Sequence, residues 1–571
     1  MNQTYLGTIN LVSYWKKNQF TIVKIAIVSI FVIFIALQGG KMFVLDEMDF
    51  PTVSKATSQS LRPVWYKGEA TSQQSGLFHP PLYIYSLAFF IRNFSFSEMT
   101  VRIFGMICAL ATSYLLISML KLFNYRNRWG EVLLLGLFLL NPYTLACATV
   151  PDIDTTIMPL TMLMFIYLSL RFYWKKNFGP KYDLLILSSV FALNLWTKLT
   201  TPLMLPVFLF ALLIICRKSV LASLLITLKI ALLGAAMFLI TYFVFTKLVN
   251  LPMSYTFTFL AQSFFKGTLG NETLLHKVLT NASYIKSQVY WFTIPLTLAY
   301  IVSLFSIGIH RKYTEQDKVM LLLSLFGLAI FVFYICLISP FGGFFKYPFP
   351  AFGLMILTII FCFQNYLAKI KTSFYLSAFI FITIFVLTTH FVGDKAFLDH
   401  AVFRHFILLT VAATVGYALL HYNKTAQVGR VLFVYFLIFV IGYQLAISRV
   451  QAIATYPTKY LYGQQGMRDT VSYLKIHTHK NEIIWSMKDV GFYVNDRYYE
   501  SYAFYFNKNL EPVLTNMLQQ GKIRYYVGTV GIGEDRLDYY TGVTKILNDN
   551  ATKVATYGNF VIYRSNAAAN N

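Results

Sequence analysis

The sequence contains few charged residues and few cysteines. Only 13% of its 571 residues are charged, whereas 57% are hydrophobic. A soluble domain of this length needs more charge on its surface, so the composition excludes a purely soluble protein. The five cysteines all stand in apolar segments, and none has Cys-x-x-Cys spacing. They give no support to a zinc site or a disulfide framework, and we interpret them as small buried hydrophobes.

Nucleotide-binding motifs and a cleavable leader are also missing. The chain has no P-loop and no Gly-x-Gly-x-x-Gly following a strand, so no nucleotide-binding fold is visible. Its first apolar run is too long for a signal peptide and lacks a small-residue cleavage site. Acidic residues are scarce, 24 against 48 basic ones. In a soluble protein that excess would suggest nucleic acid, but here it fits basic loops beside a membrane, and no nucleic-acid partner is predicted.

Long apolar runs are what the sequence has instead. Repeated runs of about 20 residues match the hydrocarbon thickness of a bilayer. They predict a polytopic α-helical membrane protein with about 13 transmembrane helices. The predicted spans are 22–44, 99–119, 131–149, 153–171, 183–197, 201–216, 221–246, 289–309, 319–339, 349–366, 373–391, 403–421 and 428–447.

Basic residues alternate between the predicted loops and give an orientation. One set of loops carries pairs or groups of basic residues, and the other set carries few. Because basic loops stay in the cytoplasm, the N-terminus is predicted inside and the segment 46–79 outside. With 13 spans the tail is outside as well. The predicted location is the plasma (inner) membrane, with the site facing the outside or periplasm.

Two regions differ from the spans. The apolar stretch Leu82–Phe94 is too short to cross a bilayer and predicts an aromatic helix lying at the outer interface, begun by Pro80-Pro81. The tail is less apolar. It predicts a small α/β domain with a helix, strands on both sides of a turn at Asn495-Asp496, and further strands in KIRYYVGTV and GNFVIYRS.

These patterns divide the chain into two domains. Residues 1–450 form the predicted transmembrane domain, with external loops at 46–98 and 248–288. Residues 451–571 form the predicted extracytoplasmic α/β domain, in which we find no catalytic signature.

Four acidic residues are candidates for chemistry on the outer side. Asp46 and Glu47 are adjacent at the end of the first apolar run, where one is able to act as a general base while the other orients a substrate. The alternative is an ordinary pair of acids at a helix end. Asp152 and Asp154 occupy a short external loop. They are candidates for carboxylates that face the same cavity as Asp46 and Glu47, or for ligands of a divalent cation. The alternative for Asp154 is an ordinary helix cap.

Four outer cations are candidates for binding an anion. His79 precedes two prolines, and Arg102 stands inside an apolar span, where a charge is a functional hypothesis by default. Lys198 and Lys346 are predicted at outer helix ends. A phosphate at the membrane surface would attract all four. The alternatives are snorkelling for Arg102 and interfacial anchoring for the two lysines.

Together these motifs resemble a known family. Asp-Glu after the first span, His-Pro-Pro-Leu before a short aromatic helix, and SEMTVRIFGMICAL beyond it look like the GT-C membrane glycosyltransferases. The branches in question are the protein O-mannosyltransferases and the bacterial transferase that puts aminoarabinose on lipid A. NLWTKLTTPLMLP and FKYPFPAFGLMIL resemble later stretches of that family, with Lys346 in place of the usual arginine. The resemblance covers about residues 20–450.

The resemblance implies roles for these residues. Asp46 would be the catalytic base with Glu47 beside it, and Asp154 the aspartate placed before the fourth span. The phosphate of the donor would be bound by His79, Arg102, Lys198, Lys346 and Tyr347. Asp152 and Tyr83 would orient the substrate or a cation. The residues establish no cofactor, but a divalent cation is compatible with them, and Asp154 and Asp46 would hold it.

The function that this resemblance implies is the inverting transfer of a sugar from a polyprenyl phosphate to a hydroxyl acceptor. The acceptor, a lipid, glycan or protein, stays open. The tail lacks β-trefoil repeats, which disfavours a eukaryotic-type protein acceptor. A multi-span transporter or lipid flippase is the alternative, although the sequence has no internal repeat of the kind common in transporters. A non-catalytic scaffold is disfavoured by the clustered outer charges.

Overall fold

The computed structural model describes most of the membrane domain and most of the tail. It describes residues 11–43, 45–65, 74–124, 128–175, 180–217, 219–258, 260–261, 294–309, 314–334, 346–367, 440–442, 444–445, 448, 466–479, 482–494, 498–500, 510–529 and 541–569. The predicted spans 373–391 and 403–421 lie outside these residues, as do nearly all of 428–447 and most of the loop 248–288.

Helices dominate the first part of the chain. They are α1 Leu11–Gln38, α2 Asp49–Ser60, α3 Leu82–Phe94, α4 Glu98–Leu122, α5 Arg128–Leu139, α6 Pro142–Thr149, α7 Ile157–Ser169, α8 Pro180–Thr197, α9 Leu205–Arg217 and α10 Val220–Leu248. Three more helices follow at Ile294–Ile309, Glu315–Val332 and Phe349–Leu367. Strands β1 Val64–Trp65 and β2 Gln74–Ser75 form a short antiparallel pair between α2 and α3.

The first ten predicted spans each coincide with a helix or a helix pair. Among the described residues, four helices are long and apolar enough to cross a membrane, which makes this an integral membrane protein; α5 and α6 become a fifth span if the bent pair counts as one. The total of 13 spans therefore stays a prediction. The helix Leu82–Phe94 begins and ends where the sequence predicts, and its Phe89 and Phe94 are both 65% exposed.

Local sequence explains several helix ends. Ser97 caps α4 by accepting a hydrogen bond from the Thr100 amide. At the bend of 56° between α5 and α6, Asn141 accepts a hydrogen bond from the Tyr143 amide and Pro142 starts α6. The bend brings the following acidic loop, 150–156, back toward the other helices.

Tight contact between α4 and α6 depends on a glycine. A Cβ added at Gly105 would lie 2.2 Å from the carbonyl oxygen of Ala148, so no larger residue fits without moving the backbone. The outer face of the bundle is different: α10 exposes a series of large apolar side chains. An exposed apolar face of this length is typical of a surface in contact with lipid.

The tail contains a five-stranded sheet of mixed direction. The strands are β3 Ile483–Ser486, β4 Tyr498–Glu500, β5 Ile523–Thr529, β6 Ala551–Tyr557 and β7 Phe560–Ser565, in the order β4-β3-β5-β7-β6. β3 pairs in parallel with β4 and β5, whereas β7 is antiparallel to β5 and β6. Helices Met467–His477, Lys488–Val494, Glu511–Gln519 and Thr541–Asn550 complete this part.

The sheet confirms two predicted strands and corrects a third prediction. β5 and β7 match KIRYYVGTV and GNFVIYRS. The predicted strand–turn–strand is wrong, because Lys488–Val494 is a helix and β4 runs parallel to β3. Parallel strands cannot be joined by a tight turn, so the chain needs a crossover and uses this helix for it. Asn495-Asp496 itself lies outside the described residues.

Candidate active site

Four charged residues from distant parts of the sequence meet at one end of the helix bundle. Asp152 and Asp154 lie in the loop between α6 and α7, Lys198 directly follows α8, and Lys346 precedes the helix Phe349–Leu367. We call these four residues the lysine–aspartate cluster. Their side chains form two ion pairs. Sequence analysis selected all four separately, and folding places them together.

The pair between Asp154 and Lys198 is the more deeply buried of the two. The Lys198 ammonium donates to both carboxylate oxygens of Asp154, at 2.8 and 2.7 Å. Lys198 is only 5% exposed. Burial lowers the pKa of the Lys198 ammonium. The Asp154 carboxylate and two tyrosines together raise it by more than burial lowers it, so the net pKa lies above the ordinary value. Lys198 is therefore cationic at neutral pH.

The second pair is also short and is tied to the first. Lys346 Nζ lies 2.6 Å from Asp152 Oδ2, and the other oxygen of Asp152 accepts the backbone N–H of Asp154 at 2.9 Å. Burial raises the pKa of the Asp152 carboxyl, but Lys346, the Asp154 amide and Lys198 together lower it more, so the net pKa lies below the ordinary value. The loop is fixed further by Thr156, whose hydroxyl donates to the Asp152 carbonyl at 2.6 Å. The two cations are thus rigidly placed.

Two tyrosines enclose the Lys198 ammonium. Lys198 Nζ lies 4.8 Å from the ring centroid of Tyr347 and 5.2 Å from that of Tyr334, and the two rings stack 5.7 Å apart. The Tyr334 hydroxyl is hydrogen-bonded to Thr201, at the start of the segment after α8. Both aromatic faces stabilise a cation, so Asp154 is the only acid paired with the Lys198 ammonium among the described residues.

The His-Pro-Pro segment faces this cluster. Phe50 of α2 stacks on the His79 ring at 6.3 Å and packs edge-on against Tyr83 at 5.0 Å. The Tyr83 hydroxyl is fully buried beside Asp152 and Thr156, and no group in the described part of the chain satisfies it with a hydrogen bond of normal geometry. This packing links the His79 segment to the beginning of α2, and so to the first acidic turn.

His79 is neutral in this setting. Burial, followed by the positive charge of Lys198, lowers the pKa of its imidazole to about 3. The sequence analysis counted His79 as an outer cation. A neutral imidazole still donates one hydrogen bond to a bound oxygen, but it adds no positive charge. The positive charges near His79 are therefore those of the two lysines, each of which is paired with an aspartate carboxylate.

Asp46 and Glu47 lie in a 3₁₀ turn, Leu45–Met48, directly before α2. The side chain of Asp46 is outside the part of the chain that the structure describes. Glu47 is buried, and its negative charge faces the guanidinium of Arg102. The two adjacent acids therefore have different surroundings, and Glu47 is already engaged with a cation.

Arg102 binds the protein's own backbone. Its Nη1 donates to the carbonyl oxygens of Gln38, Gly39 and Lys41, at 2.8, 3.3 and 2.6 Å. The side chain is 2% exposed, and its guanidinium lies 4.9 Å from the ring centroid of Phe43. These carbonyls end α1 and begin the turn that leads to Asp46. In place of a phosphate contact, we propose that Arg102 positions this turn.

Replacing Arg102 with lysine is therefore expected to destabilise the protein without weakening lipid-phosphate binding. One ammonium cannot hold three carbonyls and Glu47 in the same geometry, and the loss should be about 1–3 kcal/mol in the free energy of unfolding. Thermal unfolding in detergent measures the first effect, and titration with a polyprenyl phosphate measures the second. Arg92→Lys, on the exposed side of α3, is the matched control. Tenfold weaker lipid binding at unchanged stability would restore the phosphate role.

The loop 150–156 does not use Asp154 as a helix cap. Thr156 is the residue before α7 and makes no side-chain capping bond, while Asp154 is committed to Lys198. Within the described residues, no group of three or more histidine, cysteine, aspartate or glutamate side chains is placed to hold a metal ion. Each aspartate of the loop instead faces a lysine.

Tyr334 and Phe50 contribute to the site although sequence analysis did not select them. Tyr334 lies within an apolar run that predicts a span, and nothing in that run distinguishes a tyrosine beside a lysine from one facing lipid. Phe50 follows the acidic pair closely, but its contact with His79 depends on how the intervening 28 residues fold back. Neither contact has a signal in the local sequence.

Comparison with known proteins gives a match to solved structures. No family model matches the chain, and no curated protein matches it. The crystal structure of ArnT from Cupriavidus metallidurans in the apo state superposes with a TM-score of 0.60 at 12% identity, covering 97% of this chain and 99% of that one. ArnT from the same organism bound to undecaprenyl phosphate gives 0.59 at 13% identity, covering 96% and 98%.

This chain shares the ArnT fold. The match covers nearly the whole length of both chains, including the tail with its sheet, so the likeness is not confined to the helices. ArnT has the GT-C fold, and the GT-C resemblance read from the sequence motifs is confirmed at the level of the fold. At this identity the match establishes the architecture, and the residues of the site must be argued from their own geometry.

Proposed function

We propose that the protein is a membrane glycosyltransferase. It takes a sugar from a polyprenyl-phosphate donor and transfers it to a hydroxyl group, with inversion at the anomeric carbon. The ArnT fold, and the ArnT structure that contains undecaprenyl phosphate, support this class of donor. No nucleotide-binding motif is needed, because a sugar on a lipid phosphate is already activated.

The observation that carries the proposal is the lysine–aspartate cluster. One buried and one partly buried ammonium group lie at one end of an apolar bundle, each next to a carboxylate at 2.6–2.8 Å. A structural ion pair of this kind stabilises a fold little more than a packed apolar pair would. Two such pairs beside His79 and the unsatisfied Tyr83 hydroxyl are better explained by binding of an anion, for which both lysines supply positive charge.

The proposed chemistry is a single displacement. Asp46 accepts the proton of the acceptor hydroxyl, and the hydroxyl oxygen forms a bond to the anomeric carbon. The bond between that carbon and the phosphate oxygen breaks in the same step. The sugar is then attached to the acceptor oxygen with inverted configuration at the anomeric carbon, and the lipid phosphate leaves with an additional negative charge. No covalent sugar–enzyme intermediate is formed.

The cluster stabilises the charge that develops on the leaving phosphate. Lys198 and Lys346 are already held in place by Asp154 and Asp152 and need little reorganisation, which is the condition under which electrostatic stabilisation is largest. In this proposal the Tyr347 ring holds Lys198 in place, and neutral His79 and the Tyr83 hydroxyl donate hydrogen bonds to phosphate or sugar oxygens. Asp152 and Asp154 orient the lysines through the two ion pairs.

The site is proposed to face the extracytoplasmic side of the inner membrane. The support is the distribution of basic loops, which predicts the segment 46–79 outside, and the position of the cluster at the same end of the bundle as His79. The acceptor is a lipid, glycan or protein hydroxyl in the cell envelope.

A transfer assay in proteoliposomes tests the function. The purified protein is given undecaprenyl-phosphate sugars, including aminoarabinose, mannose and glucose, each labelled in the sugar, with membrane lipids and glycans as acceptors. We expect at least one donor to yield free undecaprenyl phosphate and labelled acceptor in equal amounts, and nucleotide sugars to yield neither. Movement of an intact donor across the bilayer with no cleavage would support a flippase and contradict the proposal.

A further inference from the structure

The tail makes a direct contact with the acidic turn near the site. Its helix Lys488–Val494 packs against the 3₁₀ turn Leu45–Met48, which carries Asp46 and Glu47. Phe492 of this helix is buried in the core of the membrane domain together with Met48. The sequence distance between the two segments is more than 400 residues, so this contact is a property of the tertiary fold.

Tyr493 forms the polar part of the contact. Its hydroxyl accepts the backbone N–H of Phe43 at 2.6 Å and donates to the carboxylate of Glu98, the first residue of α4. Burial is the main cause that raises the pKa of the Tyr493 hydroxyl, and the negative charge of Glu98 adds to it, so the group stays protonated. The hydroxyl therefore connects the segment that enters the turn with the helix that carries Arg102.

Three further contacts surround this hydrogen-bond chain. Phe492 packs edge-on against Phe96, with the ring centroids 5.5 Å apart. The Lys55 ammonium lies 5.4 Å from the ring centroid of Phe96 and 5.7 Å from that of Phe492. Arg468, from the first helix of the tail, donates to the Gly40 carbonyl at 3.3 Å. The backbone between the end of α1 and the acidic turn is thus held from both sides, by Arg102 from within the bundle and by the tail from outside.

We propose that Tyr493 is a positioning residue for the acidic turn. By holding the Phe43 amide against Glu98, it fixes the backbone of the turn Leu45–Met48, which contains Asp46. The tail is then a part of the catalytic unit, and its role is to set the geometry of the base. This inference rests on the proposed function for its effect on transfer, but the contact itself does not.

Tyr493→Phe tests the proposal, because it removes one hydroxyl and keeps the ring. Tyr473→Phe, in the helix Met467–His477 on another part of the tail, is the matched control. Three quantities are measured in the full-length protein: hydrogen exchange of peptides covering residues 40–48, the binding of undecaprenyl phosphate, and kcat and KM for the donor. We expect about tenfold faster exchange and about tenfold lower kcat from Tyr493→Phe, with KM and lipid binding unchanged.

Each outcome decides one way. Faster exchange with lower kcat and constant KM supports a positioning role, and a double variant with Glu98→Gln should then lose no more than Tyr493→Phe alone, since both act through one hydrogen-bond chain. Unchanged exchange, or faster exchange with full kcat, overturns the proposal. If the wild-type protein transfers no sugar, the proposed function has failed instead, and the exchange measurement still decides whether Tyr493 fixes the turn.

Discussion

Asp46→Asn is expected to abolish sugar transfer while leaving the protein folded and able to bind undecaprenyl phosphate. The asparagine side chain is nearly the same size but cannot accept the proton of the acceptor hydroxyl. A general base contributes about 10²–10⁴-fold to rate, so kcat should fall by that amount. The measurement is single-turnover transfer from a labelled lipid-phosphate sugar, with lipid binding followed in parallel.

Two neighbouring acids provide controls for Asp46. Asp49→Asn alters the same kind of group three residues later, at the start of α2, and should keep kcat within about twofold, as is usual for changes away from the reacting atoms. Glu47→Gln should lower stability more than kcat, because Glu47 faces Arg102. Full activity in Asp46→Asn would remove Asp46 as the base. Glu47 would then be the first candidate and Asp154 the next.

Lys198→Met is expected to lower both the stability of the protein and its kcat. It leaves the buried Asp154 carboxylate without its partner, which should cost about 3–5 kcal/mol in the free energy of unfolding. It also removes one of two charges that stabilise the leaving phosphate, which should lower kcat by about 10²–10³-fold. Thermal unfolding in detergent and donor turnover measure the two effects.

A paired substitution separates stability from function at this site. In Asp154→Leu combined with Lys198→Met, both charges are gone and no buried charge is left unpaired, so stability should return close to that of the wild type. Donor turnover should stay low, because the cation is still missing. If the double variant regained turnover together with stability, the ion pair would be only structural, and the phosphate would have to be bound elsewhere.

The second ion pair offers a comparison within the same protein. Lys346 is more exposed than Lys198, so Lys346→Met should cost less stability. Its effect on turnover should nevertheless be of the same kind, since both ammonium groups belong to the cluster proposed to bind the phosphate. A large loss of turnover from Lys198→Met alone would place the phosphate on the Lys198 side of the cluster.

The sequence by itself determined the class of fold and most of the charged residues of the site. Apolar runs of bilayer length require helices, because every backbone polar group in lipid must be satisfied within its own segment. The apolar helices up to residue 367 follow from this requirement, and α3 differs from the spans by its length. Helix α2 was not predicted, because Asp49–Ser60 is not an apolar run and falls in the predicted external loop 46–98. The same scarcity of charge made each outer acid and base visible, so Asp152, Asp154, Lys198 and Lys346 were all selected.

The tertiary structure alone decided which charges meet. Spacing along the chain carries no information about a pair such as Lys346 and Asp152, which are 194 residues apart. It also assigned Arg102 to backbone carbonyls, since a guanidinium inside an apolar span looks the same in sequence whether it binds a ligand or a helix end. The surroundings of a buried charge are set by the segments folded around it.

The contact between Tyr493 and the acidic turn shows the same limit from the opposite direction. A tyrosine in a short amphipathic segment of the tail has no local feature that marks it as part of a site, and the sequence predicted a strand there. The helix and its partner both follow from the parallel pairing of β3 and β4, which forces a crossover on one side of the sheet. The long-range pairing of strands and packing of helices depend on the free energy of folding of the whole chain. No short stretch of sequence is sufficient to predict them.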